Sequence, residues 1–150
     1  MRIVLTAWAG SLWTICGIVA PGLFAVLPDR RAAGEVAGFF FSLATWLGLS
    51  LGAIFLALLL RGSLRSGARE RIDAVNIDAV NVALALTAIA TPILSEAGVR
   101  PWMQAARQAG DMARFGMLHG ASALLFAIAC LATLAIVWRV EGQSGNTMRG

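Results

Sequence analysis

The sequence is poor in charge, lysine, histidine and cysteine. Only 13% of its residues are charged, all twelve Lys and Arg positions hold arginine, and His119 is the single histidine. The two cysteines, Cys16 and Cys130, lie deep inside apolar runs, so neither a disulfide framework nor a zinc-ligand spacing is indicated. Hydrophobic residues make up 59% of the chain, and its mean hydropathy is +0.78. This composition excludes an ordinary soluble domain and indicates a membrane protein.

The sequence also lacks the usual patterns of enzymes. It has no H-E-x-x-H sequence, no glycine-rich phosphate loop after a strand, and no serine or cysteine beside a base. Its net charge of +4 comes from arginines at the ends of apolar segments rather than along one exposed face, which does not favour nucleic acid as a partner. We therefore expect a protein that is not an enzyme, carries no cofactor and binds no nucleic acid.

Four apolar segments reach the roughly 20 residues that a helix needs to cross a bilayer. They cover residues 3–27, 36–60, 77–97 and 116–138. The segments predict an all-α membrane protein in which residues 1–140 form a bundle of four transmembrane helices. The tail of residues 141–150 is rich in glycine and polar residues, which predicts disorder.

The third segment is flanked by two further patterns. After it, the polar stretch 95–115 places small and apolar residues at helical spacing from Pro101 and Trp102 onward, which predicts an amphipathic helix at the membrane interface. Before it, the sequence IDAVN occurs at 72–76 and again at 77–81. Five residues turn a helix by about 500°, so the two copies face different directions. We interpret the repeat as a local duplication that lengthens the start of the helix.

Arginines flank the four segments unequally. Seven lie on the side of the two termini and of the loop after the second segment, and five lie on the opposite side. The loop RGSLRSGARER, residues 61–71, holds four of the seven. Positive charge crowded into a short loop near the membrane favours the cytoplasmic side. We therefore expect a multi-pass protein with both termini in the cytoplasm.

Small residues form a stripe along each segment. Transmembrane helices associate through close backbone contact, which such stripes permit. In the third segment the stripe runs from Asp78 and Asn81 to Pro92 and Glu96. In the others the expected packing residues are glycines, namely Gly10, Gly17, Gly34, Gly38, Gly48, Gly52, Gly116 and Gly120. The stripes predict a tight bundle without room for a haem, a water-filled pore or another bulky ligand.

His119 lies near the start of the fourth segment, at the same end of the bundle as Glu96 and Glu35. On a helical wheel it flanks Gly116 and faces the bundle. We therefore expect the imidazole to bond one of these carboxylates or a loop carbonyl and to clamp the helix ends together. A soft-metal site is the alternative, because thioether and imidazole groups suit Cu(I). Its candidate ligands are His119, Glu96 and Met112, which lies seven residues before the histidine.

Two stretches carry a resemblance to a known family. They are WAGSLWTICGIVAPGLFAVLPDRRAAGEVAG at 8–38 and ARFGMLHGAS at 113–122. Over residues 5–138 the chain resembles the transmembrane protein 205-like family, also called domain of unknown function 4149. The resemblance implies a four-helix membrane protein of a family found in bacteria and eukaryotes, without an established reaction and without catalytic residues. We expect this chain to be a bacterial member in the inner membrane. A weaker similarity of the W-x-G opening to copper-resistance membrane domains keeps copper as an alternative.

Two functions are consistent with these features. The first is a non-enzymatic membrane protein that acts through helix packing, as a homo-oligomer or as a small accessory subunit of a larger membrane complex. The alternative is a transporter or copper-handling protein that uses His119 and the extracytoplasmic methionines and glutamates. The expected partners are the lipid bilayer and either other membrane subunits or a second copy of the chain.

Overall fold

The computed structural model describes residues 2–65 and 70–146. The helices in chain order are α1 Arg2–Thr14, the π-helix π1 Ile15–Val19, α2 Ala20–Val26, α3 Arg30–Arg65, α4 Glu70–Leu94, the π-helix π2 Ser95–Val99, α5 Arg100–Gln108 and α6 Met112–Asn146. Four helical runs are long and apolar enough to cross a membrane: Arg2–Val26, Arg30–Arg61, Ala79–Gln108 and Met112–Val140. The described residues contain no strand. The predicted all-α fold with four membrane helices is confirmed.

The helices extend further than the apolar segments that predicted them. α3 begins at Arg30, because the Asp29 carboxylate accepts a hydrogen bond from the Arg31 backbone N–H at 2.8 Å and caps the helix. α6 continues to Asn146, so the first six residues of the tail expected to be disordered are helical, and 147–150 lie outside the described residues. The IDAVN repeat lies within α4, but its side chains up to residue 78 are not described. Hydropathy marks only the apolar part of a helix, whereas backbone bonding and capping carry it beyond that part.

The amphipathic helix expected between the third and fourth segments is α5. It is continuous with the third membrane helix, since α4, π2 and α5 follow one another without a break in helical backbone. The chain then reverses at Gly110, whose φ of +73° lies in the left-handed region. The Asp111 N–H donates to the Ala106 carbonyl and the Gly110 N–H to the Arg107 carbonyl, a Schellman arrangement that ends the helix. This reversal brings α5 into contact with α6.

The membrane helices form a closed ring of contacts. α1 contacts α3 and α6, and α4 also contacts α3 and α6. At one end of this ring large side chains fill the interior, and we call it the packed end; its most deeply buried large side chains are Trp8, Leu12, Phe55, Thr133 and Ile136. Arg139 Nε also donates to Asn81 Oδ1 at 3.1 Å and joins α6 to α4. Asn81 is buried, so this bond satisfies a polar group that would otherwise be costly.

The small-residue stripes divide into two pairs. Those of α3 and α4 face the interior, where Gly48, Gly52, Ala85 and Ala88 are buried. Those of α1 and α6 face outward: a Cβ built on Gly10, Gly17, Gly116 or Gly120 has no heavy atom within 4 Å beyond its own chain neighbours and helix backbone. The expectation that all four small faces meet inside one chain is therefore wrong for α1 and α6. α1 instead packs with a face of larger residues, which includes Leu5, Trp8 and Leu12.

Trp8 lies against two glycines of α3. A Cβ on Gly48 would lie 3.2 Å from Trp8 Nε1, and a Cβ on Gly52 would lie 3.0 Å from Trp8 Cη2 and 2.6 Å from Ile89 Cγ1 of α4. The Trp8 side chain is fully buried at 0% exposure, and its ring centroid lies 6.2 Å from that of Phe55. The two glycines thus provide the space in which one indole joins α1, α3 and α4.

Replacing Gly52 with alanine is expected to destabilise the bundle by about 1–3 kcal/mol, because the added methyl overpacks the contact with Ile89 and Trp8. Gly120→Ala is the matched control, since that glycine has open space around it and alanine is the better helix former by up to about 1 kcal/mol. The measurement is the thermal unfolding midpoint of each variant in the same detergent. Equal midpoints for the two variants would contradict the proposed role of Gly52.

Candidate functional site

The end of the bundle opposite the packed end contains a cavity of about 780 Å³, which we call the end cavity. It lies where the chain reverses twice, between α2 and α3 and between α5 and α6, and both π-helices contribute to its wall. Its volume is within the range of sites that bind small molecules, roughly 300–1,000 Å³. The expectation of a bundle too tight for a bulky ligand is therefore wrong.

The walls of the end cavity explain its volume. Small residues line it on three elements, and they are Ala20, Gly34, Ala37, Gly38 and Ala123. Towards the packed end, the rings of Phe41 and Phe126 lie 4.7 Å apart between centroids and form an apolar floor. Small side chains at these positions thus leave space between the helices.

The two π-helices share one sequence feature and one location. In π1 the Ala20 N–H donates to the Ile15 carbonyl, and in π2 the Arg100 N–H donates to the Ser95 carbonyl, each five residues back. In both cases the next residue is a proline, Pro21 or Pro101, which has no N–H to continue the regular ladder. Each widened turn contributes residues to the wall of the end cavity. π-turns of this kind occur frequently at functional sites.

Charged side chains surround the end cavity, and positive charge exceeds negative. Four arginines line it (Arg30, Arg31, Arg100 and Arg107) against two glutamates, Glu35 and Glu96. Arg31 pairs with Glu35 at 3.4 Å in an exposed i,i+4 pair, and Arg100 pairs with Glu96. Within the described residues Arg30 and Arg107 have no carboxylate partner.

Arg107 connects the two chain reversals at the mouth of the cavity. Its guanidinium donates to the Arg31 carbonyl at 3.5 Å, and it lies 5.7 Å from the centroid of the Phe115 ring. These contacts link α5 to the start of α3 and to α6. The mouth is therefore bordered by a guanidinium that is held in place by neutral groups rather than by a carboxylate.

Glu96 is the most connected acidic residue of the end cavity. Its Oε1 accepts hydrogen bonds from Ser42 Oγ of α3 at 3.0 Å and from Arg100. The side chains of Arg100 and Glu96 are only 30% and 26% exposed, against 76% and 62% for Arg31 and Glu35. Glu96 thus joins π2 to α3 inside the wall of the cavity. Nearby, Ser95 and Ser122 hydrogen-bond at 2.6 Å and join π2 to α6.

His119 lines the same cavity but does not make the expected clamp. Its ring stacks on Phe115, with centroids 6.0 Å apart and an interplanar angle of 10°. The carboxylates expected as its partners are engaged elsewhere, Glu96 by Ser42 and Arg100, and Glu35 by Arg31. Arginines four residues away on the same helices compete for them, so the clamp between helix ends is made by Glu96 without the histidine.

The candidate metal ligands all lie at the end cavity, but they do not form a metal-binding group of histidine, cysteine and carboxylate side chains. His119, Glu96, Met103 and Met112 all line it. Within the described residues no group of three or more His, Cys, Asp or Glu side chains is placed to hold a metal. Thioether, imidazole and carboxylate groups therefore face one space, and the copper hypothesis stays a prediction.

The arginines of the end cavity are the residues that sequence reasoning missed, because they were interpreted as topology signals alone. A signal was present in their position. They lie on the side of the segments that the predicted orientation makes extracytoplasmic, where the positive-inside rule does not favour arginine.

A family model described as Domain of unknown function (DUF4149) matches residues 3–112 of the chain. The match covers α1 to α5 and ends where α6 begins. The chain belongs to this family. No curated protein and no solved structure matches it.

Removing the Glu96 carboxylate is expected to destabilise the cavity end of the bundle by about 1–3 kcal/mol, because Glu96→Ala leaves Arg100 and Ser42 without their acceptor. Glu35→Ala removes the exposed pair with Arg31 and is expected to cost less than about 1 kcal/mol. The thermal unfolding midpoints of the two variants in the same detergent compare the contributions of the two ion pairs to stability. If Glu35→Ala lost as much stability as Glu96→Ala, burial would not explain a difference between the two ion pairs.

Proposed function

We propose that this member of the DUF4149 family is a non-enzymatic, multi-pass membrane protein that binds a small amphipathic molecule in the end cavity. The observation that carries the proposal is the cavity itself, about 780 Å³ with arginines at its mouth and the rings of Phe41 and Phe126 at its floor. Sites for small molecules are mainly apolar cavities with a few polar groups that fix orientation.

The polar groups of the cavity support binding rather than covalent chemistry. Ser95 and Ser122 bond each other, and Ser42 and Arg100 bond Glu96, so each hydroxyl is committed to a structural contact. A catalytic nucleophile needs a hydroxyl or thiol activated by an adjacent base. These serines instead join π2 to α3 and α6 and support a preformed cavity.

The proposed location is the bacterial inner membrane, with both termini in the cytoplasm. The arginine-rich loop after the second segment supports this orientation. The end cavity lies at the opposite end of the bundle from that loop, so in this orientation it opens towards the extracytoplasmic side. Binding from that side, or from the outer leaflet, is also the first step that a transporter would need, and His119, Met103 and Met112 would contact its cargo.

Filling the cavity tests the proposal. Ala123 of α6 lines the end cavity, and Ala127 is also exposed, one turn further along the helix, but does not line it. Ala123→Trp is expected to weaken binding of a single-chain amphiphile at least tenfold by occupying the space, whereas Ala127→Trp leaves binding unchanged. The assay is saturable binding of radiolabelled oleate and methyl oleate to protein in phosphatidylcholine nanodiscs, with empty nanodiscs as background. Absence of saturable binding of either probe to the unmodified protein would overturn the proposal.

Helix packing with other subunits is a second candidate function, as a homo-oligomer or an accessory subunit. The observation that favours it is the outward direction of the stripes on α1 and α6, where Gly10, Gly17, Gly116 and Gly120 leave open space. Small exposed residues in a membrane helix permit close approach of another helix. Neither stripe is used for packing within the chain.

Substituting a bulky residue on an outward stripe tests this second function. Gly10→Leu is expected to shift the protein from oligomer to monomer, or to release a co-purified subunit, because the leucine keeps the partner backbone at a distance. Ala53→Leu is the matched control on the exposed surface of α3. Native mass spectrometry from mild detergent measures the state of each variant. A wild-type protein that is monomeric and without a partner would rule out this function.

A further inference from the structure

We infer that the molecule bound in the end cavity is an anionic amphiphile with one apolar chain, whose carboxylate or phosphate head lies at the mouth beside Arg30 and Arg107. The inference rests on the proposed function and names the ligand class of that same site. Charge, depth and volume each support it.

Charge determines the sign of the head group. Arg31 and Arg100 are compensated by Glu35 and Glu96, whereas Arg30 and Arg107 have no carboxylate partner in the described part of the chain. Two uncompensated guanidinium groups at the mouth of a concave apolar site favour an anion. Guanidinium groups bind carboxylate and phosphate through charge-assisted, often bidentate hydrogen bonds.

Glu96 fixes how deep the anionic group enters. Its carboxylate lies at the depth of the phenylalanine floor, because it accepts a hydrogen bond from Ser42, the residue after Phe41, and it is already paired with Arg100. A second anion beside it would meet like-charge repulsion in a partly desolvated site. The head is therefore held at the mouth, and only the uncharged chain reaches the floor beside Glu96.

The dimensions of the cavity select one chain. Phe41 follows Arg30 by eleven residues of α3, which corresponds to about 16 Å along the helix at 1.5 Å per residue. A volume of about 780 Å³ holds roughly 26 groups of the size of a water molecule, at about 30 Å³ each. This is enough for one acyl chain with a small head and too little for a phospholipid with two chains. The floor formed by Phe41 and Phe126 contacts the chain end.

The test compares three radiolabelled probes with the same chain on full-length protein in phosphatidylcholine nanodiscs: oleate, oleoyl lysophosphatidate and methyl oleate. We expect at least one anionic probe to bind about tenfold or more tightly than the uncharged ester. A preference for oleate assigns a carboxylate ligand, and a preference for lysophosphatidate assigns a phosphate ligand. Either result supports an anionic head.

Arginine variants connect this preference to the proposed residues. Arg30→Gln with Arg107→Gln is expected to reduce anion binding about tenfold, to the level of the ester. Arg30→Gln alone, which removes no described structural contact, is expected to give a part of this loss. Arg61→Gln, at the opposite end of the same helix, is the control and is expected to change neither anion nor ester binding, and thermal midpoints confirm that each variant is folded.

The outcomes separate this inference from the function on which it rests. Equal binding of ester and anions that is still blocked by Ala123→Trp overturns the anionic assignment and leaves the binding function in place. Anion preference that survives the double arginine variant overturns the assignment of Arg30 and Arg107. If the unmodified protein shows no saturable binding of any of the three probes, both the inference and the proposed function are overturned.

Discussion

The position of Trp8 against Gly48 and Gly52 is the constraint on which the bundle depends. The indole is completely buried between α1, α3 and α4, and a single methyl on Gly52 would approach Ile89 to 2.6 Å. Its Nε1 has no hydrogen-bond partner among the described side chains and backbone groups. An unsatisfied buried donor costs about 1–3 kcal/mol, so the contact is retained against that cost by the area and close fit of the ring. Helices held together this closely at one end can separate at the other without loss of the fold.

At the other end, two widened turns of the backbone border the space that the small side chains leave. Pro21 and Pro101 each follow a turn in which the hydrogen bond spans five residues instead of four. The two π-helices belong to the first and third membrane helices, and both contribute to the wall of one cavity. Ser42 and Ser122 then bond Glu96 and Ser95 of π2, so the widened turn is tied to both neighbouring helices. The polar side chains that π2 contributes to the wall are thus satisfied by its neighbours.

Composition and segment length predicted the all-α fold and its four membrane helices, because about 20 apolar residues in a row have few alternatives. The helix faces were harder to predict. In a membrane both the interior and the lipid side of a helix are apolar, so hydropathy does not distinguish the buried face of α1, with Leu5 and Leu12, from its exposed face, with Gly10 and Gly17. The assumption that small residues face inward held for α3 and α4, where Gly48, Gly52, Ala85 and Ala88 are buried, and failed for α1 and α6. The cavity depends on two π-turns and two chain reversals, which no residue pattern placed together.

The arginines give a physical reason for the weak topology signal of this chain. In the proposed orientation seven arginines lie on the cytoplasmic side and five on the other, although the positive-inside rule favours few on the latter. Four of those five line the end cavity, and Arg114, the fifth, lies 5.8 Å from the ring centroid of Trp102. The proposed ligand-binding role gives these outer arginines a use that is separate from the insertion signal. In that orientation, the four arginines crowded into residues 61–71 offset the outer group on the cytoplasmic side, so the balance of charge still follows the positive-inside rule.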